Sequence, residues 1–216
     1  MNLERTVAHL MQKIERHYYG KYRGFVVSNE DPKKLGRLKV NVPSVLGDAI
    51  VTGWATPCLP YGGQPNEGAL FIPDAGAGVW VEFEQGNLDA PIWVGAFWSA
   101  PDGETEIPKP NDPDGAEQSA VQDPVTRKII KTKKGHTIQF EDKDGEETVI
   151  IVHKVDDEKK NVITMDKTGI TITDFTKNQI AMTDSAFTIT AKVAFTIDAS
   201  GQAVEIKAST IDMTKA

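Results

Sequence analysis

An apolar residue, a spacer and a second apolar residue recur seven times in the last quarter of the chain. The pairs are Ile163/Met165, Ile170/Ile172, Ile180/Met182, Phe187/Ile189, Phe195/Ile197, Val204/Ile206 and Ile211/Met213. Their first members lie 7, 10, 7, 8, 9 and 7 residues apart. A spacing of two puts both side chains on one face of a β-strand, and Thr, Asp or Lys mostly occupies the other. Each repeat brings only two core residues, too few for so short a strand to bury its apolar edge alone. The pattern predicts several identical chains sharing one axial core, with these residues inside a rod.

Composition divides the chain in two. All four Trp (Trp54, Trp80, Trp93, Trp98) and all four Tyr (Tyr18, Tyr19, Tyr22, Tyr61) precede residue 100, and no Pro follows Pro124. The first half has the aromatics and turn formers of a globular core. The second, rich in Thr, Ile, Asp and Lys, suits repetitive β-structure.

Leu3, Val7, Leu10, Met11 and Ile14 fall at helix spacing and predict a helix over 3–17, on an arm spanning 1–20. From Tyr22 to Trp98 the period changes to two. Strands are expected at 23–29, 36–42, 50–56, 78–84 and 91–98, separated by Asp31-Pro32, Gly62-Gly63 and Gly86-Asn87. Five strands over 21–98 suit a closed barrel of oligonucleotide/oligosaccharide-binding (OB) type, with residues 57–77 placed where an extra element is often inserted. Residues 99–124, with five Pro among Asp, Glu and Gly, are expected to be a linker with little to bury. Strands resume at 128–131, 135–141 and 147–153, with a turn at Asp142–Gly145, and 125–216 form the repeat domain. The fold class is all-β.

Several chemistries find no footing. Cys58 is the only cysteine, so no internal disulfide framework exists, and a small buried apolar role is expected for it. His9, His17, His136 and His153 have no metal-ligand spacing. Asp142, Asp144, Glu146 and Glu147 do not fit a calcium loop, and Asp74–Gly78 lacks the following helix of a phosphate loop. Neither a nucleophile elbow nor a cofactor motif occurs. Residues 1–99 hold 9 basic against 10 acidic residues, and the whole chain has a formal charge of -7. Its aromatics alternate with small residues in core-like strand positions. Nucleic acid is therefore not an expected partner. With no membrane-length apolar run and no signal-peptide core, synthesis in a reducing cytoplasm is expected.

Tyr19-Gly20-Lys21-Tyr22-Arg23-Gly24-Phe25-Val26-Val27, Asp31-Pro32 and Leu35-Gly36-Arg37-Leu38-Lys39-Val40 resemble the central spike proteins of contractile phage tails. Trp54-Ala55, Gly78–Glu84 and Pro91–Gly95 extend the likeness to the baseplate assembly protein V family and the valine-glycine repeat spikes of type VI secretion. Gly135-His136-Thr137-Ile138, with the turn at Asp142–Gly145, is similar to the family's entry into its trimeric β-prism.

The resemblance implies an OB barrel followed by an intertwined β-helix of three chains, a homotrimer with the seven pairs on its axis. It implies a place beneath a baseplate hub protein and the inner tube, in a particle that drives the spike through a target cell envelope. The arm is too short to replace a hub domain and 99–124 too short to hold a lysozyme, so a separate hub and no enzymatic activity are expected. No histidine follows His153, which favours a separate tip protein of the proline-alanine-alanine-arginine (PAAR) class docking on Ile211 and Met213. The alternatives are a trimeric fibre that binds a receptor or carries an effector, and an OB-type nucleic-acid binder.

Overall fold

The computed structural model describes residues 3–15 and 17–214. Two compact units divide between Glu106 and Ile107.

In the first unit, α1 (Leu3–Glu15) precedes β1 (Tyr22–Ser28), β2 (Leu38–Asn41), a single turn α2 (Pro43–Leu46), β3 (Val51–Pro57), β4 (Gly78–Phe83) and β5 (Pro91–Ala96). All five expected strands form within two residues of their predicted bounds. They close into a barrel in the order β1-β2-β3-β5-β4, with β3 and β5 parallel and the other neighbours antiparallel. Alternation sends Val26, Leu38, Val40, Val79, Val81, Phe83 and Trp93 inward, all buried. Trp93 satisfies its indole N–H on the Gly36 carbonyl at 3.1 Å. Residues 58–77 contain no helix or strand, so no extra element is inserted there.

The second unit is one antiparallel sheet of seven strands: β6 (Arg127–Lys131), β7 (Thr137–Glu141), β8 (Thr148–Lys154), β9 (Lys160–Asp166), β10 (Gly169–Thr173), β11 (Gln179–Thr183) and β12 (Phe187–Thr190). Each pairs with its sequence neighbour, which leaves an open sheet with β6 and β12 as edges. The three-chain β-helix expected above is not seen in this single chain. Four of the seven apolar pairs lie on strands. Phe195/Ile197, Val204/Ile206 and Ile211/Met213 do not, because residues 191–214 find no neighbouring strand to complete their backbone hydrogen bonds.

The stretch 99–124 differs from the expected linker. It straddles the boundary between units, and from 107 on it packs on the sheet. Pro110 and Asn111 are buried. Asn111 N–H donates to Gln139 Oε1 at 2.8 Å, and Gln139 Nε2 returns a bond to the Asn111 carbonyl at 2.9 Å. Thr164 Oγ1 donates to the Pro113 carbonyl at 2.9 Å. Gly115, at φ +84°, comes so close that a Cβ there would lie 2.7 Å from a Val162 methyl. Composition suggested a loose segment, but its carbonyls and short side chains match the polar residues on this sheet face.

Candidate functional site: an apolar stripe across seven strands

The two faces of the sheet have opposite fates. Thr137, Gln139, Glu141, Ile150, Val152, Val162 and Thr164 are buried on the face that residues 107–126 cover. The other face takes every alternate residue, and the pairing register aligns these into two lateral rows. One row runs Ile130, Ile138, Ile151, Ile163, Ile172, Ile180, Ile189, each directly opposite the next. The second runs Lys128, Phe140, Val149, Met165, Ile170, Met182, Phe187. At about 4.8 Å per strand, six steps make the isoleucine row about 29 Å long.

Most of the stripe faces solvent. Ile130 is 50%, Phe140 43%, Ile172 39% and Ile189 52% exposed. Ile163, Met165 and Met182 are half-buried by their neighbours. The eight predicted core residues on strands therefore come together on one face, and β6, β7 and β8 extend the stripe with residues the repeat did not include. Phe195, Ile197, Val204, Ile206, Ile211 and Met213 are exposed outside any strand. A contiguous apolar surface of this kind marks an interaction face.

The covered face is held by charge as well as contact. The Glu141 carboxylate, 3% exposed, accepts from Arg127 Nε at 2.6 Å, Gln122 Nε2 at 2.9 Å, the Lys143 N–H at 2.9 Å and the Thr126 hydroxyl. Burial pushes its pKa up, but the bonds from Thr126, Arg127, Lys143 and Gln122 outweigh that and hold it down at about 2. In the barrel, Asp31 has a similar part. Its oxygens accept the N–H groups of Lys33, Leu35 and Arg37 and two bonds from the Arg37 guanidinium. The Arg37 bond holds this carboxyl far below its ordinary range against a smaller effect of burial. The Asp31-Pro32 and Arg37 motif thus braces the β1–β2 loop, and Arg37 lies over Trp54 at 5.5 Å.

Two expectations about single residues are corrected. Cys58 is exposed, since it follows β3 and only its N–H is used, on the Trp93 carbonyl. Of the tryptophans only Trp93 is a core residue. Trp54 and Trp80 are half-buried on the outside of the barrel, and Trp98 is 64% exposed. The histidines are less scattered than their numbers suggest. His136 and His153 stack, with centroids 5.1 Å apart and planes at 10°, while the side chain of His9 lies outside the described residues. Register parity was the one signal for this pair, because both rings fall on the stripe's face of adjacent strands. Among the described residues no group of three or more His, Cys, Asp or Glu could hold a metal ion, and no helix is long and apolar enough to cross a membrane.

Residues 22–98 match the family model described as the Type VI secretion system/phage-baseplate injector OB domain. The match covers about a third of the chain and coincides with the closed barrel, from the first residue of β1 to just past β5. The barrel is thus similar to the baseplate-injector OB domain, and the seven-stranded sheet lies outside the match. Comparison with curated proteins finds no match.

Proposed function

We propose that the chain is the central spike of a contractile tail or injection machine, a homotrimer whose axial core is the apolar stripe. The unbroken isoleucine row is the observation behind this. It lies on an exposed sheet face whose reverse is already covered by residues of the same chain. Three copies would bury one another's stripes and pair the edges that each sheet leaves open. The exposed Phe195, Ile197, Val204 and Ile206 would join the same core on strands formed between chains. Ile211 and Met213 would receive a PAAR-class tip protein.

The injector-type barrel at 22–98 supports a place in a baseplate, with a hub protein and inner tube as neighbours. The role is mechanical and non-enzymatic, needs no cofactor and involves no nucleic acid. A mutually wrapped rod transmits axial force to the target cell envelope when the machine contracts. Light scattering on the purified chain is the test. The expected mass is three times the chain's 23.6 kDa, and a monomer at every concentration would end the proposal.

A further inference from the structure

Three hairpins of the second unit are tied at their open ends in the same way. A side-chain acceptor at the start of the first strand takes a backbone N–H at the end of the second. Asn161 Oδ1 accepts from Phe175 at 3.0 Å on β9–β10, and Asn178 Oδ1 accepts from Lys192 at 2.7 Å on β11–β12. On β7–β8 the acceptor is His136, whose Nδ1 takes the Lys154 N–H at 3.2 Å. An amide oxygen accepts at any pH, whereas a ring nitrogen accepts only while it is unprotonated.

The neighbouring ring is set the same way. Because Asn161 Oδ1 is engaged with Phe175, its Nδ2 is the group that faces His153 Nδ1, at 3.0 Å. Both Nδ1 atoms are acceptors, so both rings hold their proton on Nε2. We infer that the stacked His136–His153 pair is an acid-released latch on the β7–β8 hairpin. A proton at His136 Nδ1 turns the acceptor into a donor facing a donor, and the Lys154 bond is lost. Two protonated rings stacked with centroids 5.1 Å apart would also repel.

Charged groups of both signs gather at this end of the sheet. Lys133 and Lys134 stand in the β6–β7 turn. Lys154 pairs with Asp157 at 2.6 Å, and Lys159 lies 3.6 Å from Asp156. Lys160 Nζ donates to the Asp157 carbonyl, and Asp174 is taken up by Thr176 and Asn178. Asp156, Asp157 and Asp174 are thus already engaged, as is Glu117 with Lys131 at 2.7 Å, and Glu158 also stands in the β8–β9 turn. Ile138 lies two residues from His136, so release loosens one end of the apolar stripe.

Hydrogen exchange of the full-length protein, corrected for the intrinsic pH dependence of exchange, tests this at about pH 7.5 and about pH 5. Protection of the Lys154 amide should fall by about tenfold at the lower pH, the loss of one hydrogen bond, while Phe175 and Lys192 keep theirs. Glu141, held at about 2, stays ionised throughout. His136→Asn, which copies the other two latches, should protect Lys154 equally at both pH values, and His136→Ala at neither. Wild-type protection unchanged at the lower pH, or an equal fall in His136→Asn, would overturn the latch. These two proteins decide the matter even if the alanine variant does not fold.

Discussion

Buried charge does specific structural work at single residues. Glu141 could not remain ionised in its place without Arg127, Gln122, Thr126 and the Lys143 N–H around it. Its folded pKa of about 2 lies below the ordinary 4.5, so its contribution is full above about pH 4.5 and is lost as pH falls towards 2. Glu141→Gln should destabilise the second unit by about 3 kcal/mol, because Arg127 loses its counter-charge in a partly buried site. The same change should flatten the acid limb of the stability profile. Calorimetry of wild type and variant across pH 2–7 measures both effects, and identical profiles would remove Glu141 from its assigned part. Apart from the local Lys143 N–H, two residues on, these partners were not legible in the sequence. Glu141 lies 14 residues from Arg127 and 19 from Gln122, and only the fold brings them to one carboxylate.

Among the elements, the strands were the most legible part. Period-two alternation located all five barrel strands, and the paired spacing located β9 to β12. Alternation also states which residues share a face, but not which face the chain itself covers. Ile189 and Thr188 test that distinction, for they lie on opposite faces of β12, across from Ile180 and Ala181. In a trimer, Ile189→Asp would gather three unpaired carboxylates on the axis, at several kcal/mol each, and should abolish association measured by light scattering. Thr188→Asp should be tolerated by comparison. Equal damage from both would mean that the stripe is not the interface. The segment 107–126 was hidden for a different reason. Its proline-rich composition is that of a linker, and its burial depends on polar partners such as Gln139 and Thr164 on strands far along the chain.

For the whole molecule, removal of everything after about residue 160 deletes β9 to β12 and most of both rows. The barrel closes on its own strand pairs and should remain folded by circular dichroism, while association falls well below that of the full chain because the shared apolar surface shrinks. Undiminished association after truncation would place the interface elsewhere. The sequence by itself determined the all-β class, the barrel strands and the one-faced apolar repeat, because periods of two follow from local backbone geometry. Tertiary structure decided the rest. It closed the barrel by pairing β3 with the distant β5, covered the Thr and Gln face with residues 107–126, brought two histidines into one stack, and left the isoleucine row in solvent. Each outcome depends on which groups across long sequence separations satisfy one another's hydrogen bonds and apolar surface, and local periodicity contains no record of that.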